Sequence, residues 1–342
     1  MTVKVGMVGL GHMGQLHMLN AMRVDGVKVV AAADKDKKSR AFAERYNIKT
    51  YDDYTKLIDK EELDAVIVSL PNFLKKDGVF YAAERGLDIF LDKPVSRGLG
   101  EAQAIIQKTQ RNGTRLMVGV NYRYFPCVQK LKTKLDSGQL GDTVIATSEL
   151  VLNGPISHGA VPMPVPEWWL NKDLAGGGAM LDLGYHLVDL LTWMLGDFEV
   201  SYSNLGHKMN LPVEDAGTVV LRSKACDLSC IVNVGWFSKS IFPDFNFRLN
   251  LHGTVGFDST DRYTPSDAFR TYAFKEGVKN IARRIAMRKP TYLSYTYYYQ
   301  SFYTIMKVFF DSLRDGSDFP VELNQQLDVI RIIESAYKLN GG

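Results

Sequence analysis

The sequence predicts an α/β protein with two domains. A doubly wound domain on a parallel sheet spans residues 1–122, and an α+β domain whose strands read as antiparallel spans 123–342. Three observations predict this. In the first third, strands that are apolar throughout alternate with helices, as in a parallel sheet covered on both faces. After about residue 125, the strands alternate polar and apolar positions and follow one another with few helices, as in an antiparallel sheet with one covered face. A chain of 342 residues also exceeds what a single core usually organises.

The chain enters its first strand, VKVGMVGL, almost at once, so a signal peptide is not expected and a cytoplasmic protein is. HMGQLHMLNAMRV reads as a helix, VKVVAAAD as a strand and KKSRAFAERYN as a helix with charged outer positions. After TYDDYTKLI, the strand DAVIVSLP is ended by Pro71. KKDGVFYAAERG is a helix ending at Gly86, DIFLDKP a strand, GEAQAIIQKTQRNG a helix closed by Gly113, and RLMVGVNYR a strand. In the second half, VIATSELVL, VSYSNLGHKM, DAGTVVLRS, DLSCIVNVGW, FNFRLNLHG and TVGFDST read as strands. One helix, GAMLDLGYHLVDLLTWMLG, interrupts them, and two more, near 299–314 and 325–339, close the chain.

Charge is nearly balanced, with 41 basic and 38 acidic residues, so neither nucleic acid nor an anionic membrane is an expected partner. No apolar run reaches membrane-spanning length. Cys127, Cys226 and Cys230 are too few, and odd in number, for a disulfide framework. Cys226 and Cys230 are expected to be buried free thiols on one face of a strand.

VGLGHMG places Gly9, Gly11 and Gly14 in the G-x-G-x-x-G spacing, after a strand and opening a helix. The first glycine permits the tight turn, the second lets backbone approach a pyrophosphate, and the third lets helix and strand pack closely. The helix N-terminus offers free N–H groups to the anion. Twenty residues beyond Gly14, the second strand ends in Asp34, whose carboxylate suits the ribose hydroxyls and should repel a 2′-phosphate. NAD is therefore expected rather than NADP, although Lys35, Lys37, Lys38 and Arg40 follow directly.

The helix after Gly176, Gly177 and Gly178 carries Asp182, His186 and Asp189 at i, i+4 and i+7, on one face of an otherwise apolar cylinder. Such a stripe serves a structural hydrogen-bond network, a metal or acid–base chemistry. No further ligand cluster accompanies it, so no metal is expected. The helix alone leaves the other two readings open.

LDKPVSRG sets a lysine and a proline at the end of a buried strand, where neither continues a ladder. Ligands of doubly wound sheets sit beyond the carboxyl ends of the strands. Lys93 lies there, with Leu70, Pro71 and Asn72 in SLPN, and Asn121 and Arg123 in GVNYRY.

VGLGHMG, SLPN, DKP, VGVNYRY and GGGAMLDLGYHLVD, in that order, resemble the successive motifs of the glucose–fructose oxidoreductase and inositol dehydrogenase (Gfo/Idh/MocA) family over about residues 3–338. The resemblance implies a Rossmann domain, a second domain whose open sheet makes oligomer contacts, and a last helix packed back on the first domain. A homodimer or homotetramer is therefore expected. It also implies NAD(P)-dependent hydride transfer to or from a secondary alcohol of a sugar, cyclitol or sugar nucleotide. Lys93, Asp182 and His186 match the family's catalytic lysine, aspartate and histidine, with the histidine as general base. Gly9, Gly11, His12, Met13, Gly14, Asp34, Lys35, Leu70, Pro71, Asn72, Asp92, Lys93 and Asn121 are the expected cofactor contacts. Lys93, Arg123, Trp169, Asp182 and His186 are the expected substrate contacts, although Trp168 and Trp169 in VPEWWLNKD suit a sugar-ring platform and a place in the core equally. Asp92 replaces the more usual Glu, and Lys75 stands where many members have a histidine. Two other classes share the pattern: NAD-dependent glycoside hydrolases, and dinucleotide-binding regulators, which do not need the proton-relay residues. A basic stretch with Lys279, Arg283, Arg284, Arg288 and Lys289, followed by Tyr292, suits a phosphate-bearing substrate or an ordinary solvated face.

Overall fold

The computed structural model describes residues 2–153, 166–237, 246–263 and 297–341, together with 278, 281, 282, 285 and 286. The six residues that suggested a phosphate-bearing substrate, Lys279, Arg283, Arg284, Arg288, Lys289 and Tyr292, lie outside them.

The first sheet contains β1 (Val3–Val8), β2 (Val27–Ala33), β3 (Lys49–Tyr51), β4 (Ala65–Val68), β5 (Asp88–Asp92) and β6 (Leu116–Gly119). Their order is β3-β2-β1-β4-β5-β6, and every pairing is parallel. Ala65, Val66, Ile67 and Val68 are each wholly buried, as a strand covered on both faces requires. The helices are α1 (His12–Ala21), α2 (Lys37–Glu44), α3 (Tyr54–Lys60), α4 (Asn72–Ala83) and α5 (Leu99–Arg111). Strand β3 escapes a sequence reading because it has only three residues, Lys-Thr-Tyr, and no apolar run.

The chain then passes through α6 (Pro126–Asp136), a helix the sequence reading did not anticipate, into the second sheet. Its strands are β7 (Thr143–Asn153), β8 (Phe198–Gly206), β9 (Ala216–Ser223), β10 (Ser229–Phe237), β11 (Asn246–Gly253) and β12 (Phe257–Ser259), in the order β12-β11-β7-β10-β9-β8. Strands β7 and β10 pair in parallel, and the remaining pairings are antiparallel. Along β9, Gly217, Val219, Leu221 and Ser223 are buried while their neighbours are not, so this strand has one covered face.

Short α7 (Lys172–Ala175) leads through a wide turn at Met180–Gly184 into α8 (Tyr185–Leu195). Two long helices, α9 (Tyr297–Asp315) and α10 (Leu323–Leu339), end the chain. Both return to the first domain, where only the last was expected to. Phe302 of α9 meets His17 of α1 edge-on at 5.6 Å. Glu334 of α10 accepts the Leu99 N–H at 2.9 Å, at the start of α5.

No described helix is long and apolar enough to cross a membrane. The three cysteines are free thiols, but Cys226 is exposed in the turn between β9 and β10, while Cys127 and Cys230 are buried. The shared-face expectation for Cys226 and Cys230 therefore fails, because the strand ends before Cys226.

Candidate active site

The cofactor cradle is shaped by close backbone packing. Gly9 has φ of +95°, and a Cβ there would stand 2.6 Å from the Ser69 carbonyl oxygen of the neighbouring strand end. A Cβ at Gly14 would stand 2.1 Å from the Gly9 carbonyl oxygen. Both positions must be glycine for the protein's own sake. Gly11 differs: a Cβ there would meet nothing within 4 Å. The space over Gly11 is open at the N-terminus of α1, whose first turn holds no acidic residue, so a pyrophosphate fits there. Met13 packs beside Leu16 and Phe302.

Asp34 closes the cradle. Its carboxylate accepts the N–H groups of Leu10 at 2.7 Å and Asp36 at 2.8 Å, which holds it beside the glycine loop with lone pairs left for a ribose. Of the basic residues that argued for a 2′-phosphate, Arg40 is already bonded to the carbonyls of Asp34 and Lys35, at 2.8 and 2.9 Å. Lys35, Lys37 and Lys38 are exposed, as on a solvated helix face.

Three other residues expected at the cofactor have protein partners. Asn72 donates to the Ala175 carbonyl at 2.8 Å and so ties α4 to α7. Asn121 is buried and donates to Ser301 Oγ at 2.9 Å. The buried Asp92 carboxylate faces His17 Nε2 at 3.3 Å. Burial resists the charge on Asp92, but His17, Lys75 and Lys93 outweigh it and hold the carboxyl below its ordinary range.

The chemical half of the site begins at Lys93, just past β5. Its Nζ lies 2.8 Å from Asp182 Oδ1 and 3.0 Å from the Asp182 carbonyl oxygen. This ion pair joins the two domains and is largely buried, with side-chain exposures of 16% and 24%. His186 is 6% exposed, and its ring stacks on Tyr122 at 4.0 Å between centroids and 25° between planes. Burial, and secondly the nearby Lys93 charge, push its pKa well below the usual histidine value. Among the described residues, His186 Nδ1 has no hydrogen-bond partner. The Asp182 carboxylate is bonded to Lys93, and the imidazole is held by the aromatic ring of Tyr122, which the sequence reading missed.

The helix that carries these groups is anchored at its start. Glu214 Oε1 accepts the N–H groups of Gly178 at 2.8 Å and Met180 at 3.0 Å, and the Tyr337 hydroxyl at 2.6 Å. A Cβ at Gly177 would lie 2.0 Å from the Tyr337 hydroxyl, and one at Gly178 2.1 Å from the Glu214 carbonyl oxygen. The glycine run therefore serves packing.

Asp189 does not join Asp182 and His186. One turn of the helix, Met180–Gly184, is wound wide in the π form, which changes the spacing between Asp182 and the two residues that follow it. Asp189 instead takes a two-pronged contact from Arg123, at 2.9 and 2.7 Å, and accepts from Gln326 at 2.7 Å. Arg123 and Asp189 have side-chain exposures of 3% and 1%, so this is a buried structural pair. Arg123, expected at the substrate, thus gives its Nε and one terminal nitrogen to Asp189, while among the described residues its other terminal nitrogen has no hydrogen-bond partner. Trp169 is half-buried and parallel to Trp236, with centroids 6.4 Å apart, and Trp168 meets Phe73 of α4 edge-on at 6.2 Å.

Comparison with known proteins bears on the two domains and the fold. Residues 3–120 match the family model described as an oxidoreductase family with an NAD-binding Rossmann fold, and residues 128–257 match the C-terminal domain model of the same family. A rhizopine catabolism protein, MocA, of Rhizobium meliloti is 26% identical over 77% of this chain and 80% of its own length. A putative UDP-kanosamine synthase oxidoreductase subunit of Amycolatopsis mediterranei is 33% identical over 57% of this chain and about half, 52%, of its own length. Among solved structures, the myo-inositol 2-dehydrogenase of Lactobacillus plantarum shares the fold, with a TM-score of 0.79 at 16% identity over 100% of this chain and 98% of that one. The chain therefore belongs to the Gfo/Idh/MocA oxidoreductase family, with an NAD-binding Rossmann domain joined to that family's C-terminal domain.

Proposed function

We propose that this protein is an NAD-dependent dehydrogenase acting on a secondary alcohol of a sugar, cyclitol or sugar nucleotide. The observation that carries the reading is the contact between Lys93 and Asp182 beside a buried, uncharged His186. Bound NAD supplies the hydride acceptor. His186 takes the hydroxyl proton, since the neutral imidazole is the form that can accept one. Lys93 donates a hydrogen bond to the same oxygen and stabilises the charge that develops there. Asp182 holds the Lys93 ammonium in place and accepts from a neighbouring substrate hydroxyl. Trp169 presents an aromatic face suited to a ring substrate. The relatives named for MocA, UDP-kanosamine synthase and myo-inositol 2-dehydrogenase support a polyhydroxylated substrate class. The open second sheet, with Ile145 and Tyr202 exposed, supports a dimer or tetramer.

A screen of free sugars, inositols and nucleotide sugars, followed by NADH absorbance, tests the reading. NADH formation with at least one of these, lost in His186→Ala, is the expected result. Release of aglycone from a glycoside without net NADH would replace it with hydrolysis.

A further inference from the structure

Lys75 has no part in the reaction just described, yet it is the most unusual lysine among the described residues. It lies on α4, is 2% exposed and ranks with the largest fully buried side chains. Burying an amine is expensive, and desolvation pushes its pKa down to about 7; the Asp92 charge pulls it up and the Lys93 charge pushes it further down. An apolar side chain would fill the same space without that cost, so the amine has to be explained by what it bonds.

Its Nζ donates to the carbonyl oxygen of Asp92 at 2.8 Å and to that of Pro94 at 2.8 Å. These are the residues on either side of Lys93. The ladder between β5 and β6 ends with Asp92 opposite Gly119, so beyond that point the sheet no longer fixes the chain. On the other side, the Asp92 carboxylate faces His17 of α1. Lys93 therefore leaves the sheet from a backbone pinned by one buried amine. A neutral amine keeps two N–H donors, so the clamp holds on both sides of its pKa.

We propose that Lys75 is a positioning residue for Lys93: by binding the two flanking carbonyls it sets the backbone from which the Lys93 ammonium reaches Asp182 and the reacting oxygen. This rests on the reading that Lys93 acts at that oxygen.

The test is a double-mutant cycle in the full-length protein with Lys75→Met, Lys93→Met and the double variant. Lys75→Met should lower kcat by roughly tenfold to a hundredfold, the scale of a misplaced catalytic group, with NAD affinity within about twofold of wild type. The double variant should be no slower than Lys93→Met alone, because a positioning residue has nothing left to position. A second readout needs no turnover. Amide hydrogen exchange over residues 91–97 should speed up in Lys75→Met while exchange in the second sheet is unchanged. If Lys93→Met turns over normally, the reading of the site fails first. If Lys93→Met is inactive but Lys75→Met keeps its kcat, or if exchange over 91–97 does not change, the positioning role alone is overturned. Should Lys75→Met not fold, Lys75→Gln takes its place: because it keeps two donors, kcat and exchange over 91–97 should stay near wild type, and a large kcat loss that adds to that of Lys93→Met would overturn the proposal. Additive losses would overturn the proposal.

Discussion

Around the loop after β1 the decisive residues are glycines, and the ligand's place is defined by side chains that are absent; around Lys93 and His186 they are ionisable groups pressed into the interior. The first region is built from backbone sterics between near neighbours, such as a carbonyl five residues back at Gly14. The second is built from pairings across the whole fold, such as Lys93 with Asp182 and Arg123 with Asp189. Substitutions should therefore fail differently in the two: by geometry in one, by unpaired or missing charge in the other.

The largest effect is expected at the buried pair. Asp189→Ala leaves the Arg123 guanidinium buried without its carboxylate, which should cost about 3–5 kcal/mol in denaturant unfolding. The folded fraction should keep turnover within a few-fold. Loss of turnover at unchanged stability would move Asp189 into the chemistry and dissolve the contrast drawn along its helix.

Next comes His186→Ala, with turnover falling roughly a hundredfold or more and NAD affinity retained, since the glycine loop and the imidazole belong to different domains. The same residue ties stability to pH. Its folded pKa is depressed well below the ordinary 6.5, so the unfolded chain takes up the proton first. The stability gained by keeping it neutral is complete above the unfolded value and is lost as pH falls from there. Melting temperatures measured from neutral pH downwards should drop faster in wild type than in His186→Ala, and equal slopes would place the imidazole in a more solvated setting.

The two glycines sharpen the comparison within the cofactor half. Gly14→Ala forces a Cβ to 2.1 Å from a carbonyl and should lower the melting temperature as well as NAD affinity. Gly11→Ala meets no protein atom, so it should weaken NAD binding and leave melting within about a degree of wild type. If both variants melt early, the space over Gly11 serves folding as well as the ligand.

The smallest effect is at Asp34. Asp34→Ser removes the charge that repels a 2′-phosphate and should shift the ratio of NADP to NAD efficiency upward by about tenfold, near 1.4 kcal/mol. A wild-type enzyme that already prefers NADP would show that the exposed Lys35, Lys37 and Lys38 outweigh it.

These contrasts also account for what the sequence disclosed. The glycine loop, Asp34 and the strand-end Lys93 were legible because their signals are local: a spacing, a strand before, a helix after. The second sheet was legible strand by strand from its alternation, although nothing local foretold that β7 and β10 pair in parallel. The stripe of Asp182, His186 and Asp189 reads as one surface under regular helical spacing. An arginine 66 residues away takes Asp189 out of it, a partner that no local spacing announces. Tyr122, His17 and Glu214 carried no signal, because a stacked ring, a buried partner and a helix anchor are defined only by what folds against them. Lys75 was visible as an oddity of its motif, but its bonds to the carbonyls beside Lys93 exist only once α4 lies against the end of β5.

The return of α9 and α10 to the first domain bears on how the protein is made. Asn121, just past the last strand of the first sheet, bonds a serine 180 residues later, and the start of α5 is tied to Glu334 across 235 residues. On a ribosome adding about 5–20 residues each second, the nucleotide-binding unit waits roughly ten to forty seconds for the helix that covers α1. During synthesis its unfinished flank is thus open to chaperones or to neighbouring nascent chains. A message truncated after residue 122 would encode all six strands of the first sheet and none of the helix that shields them.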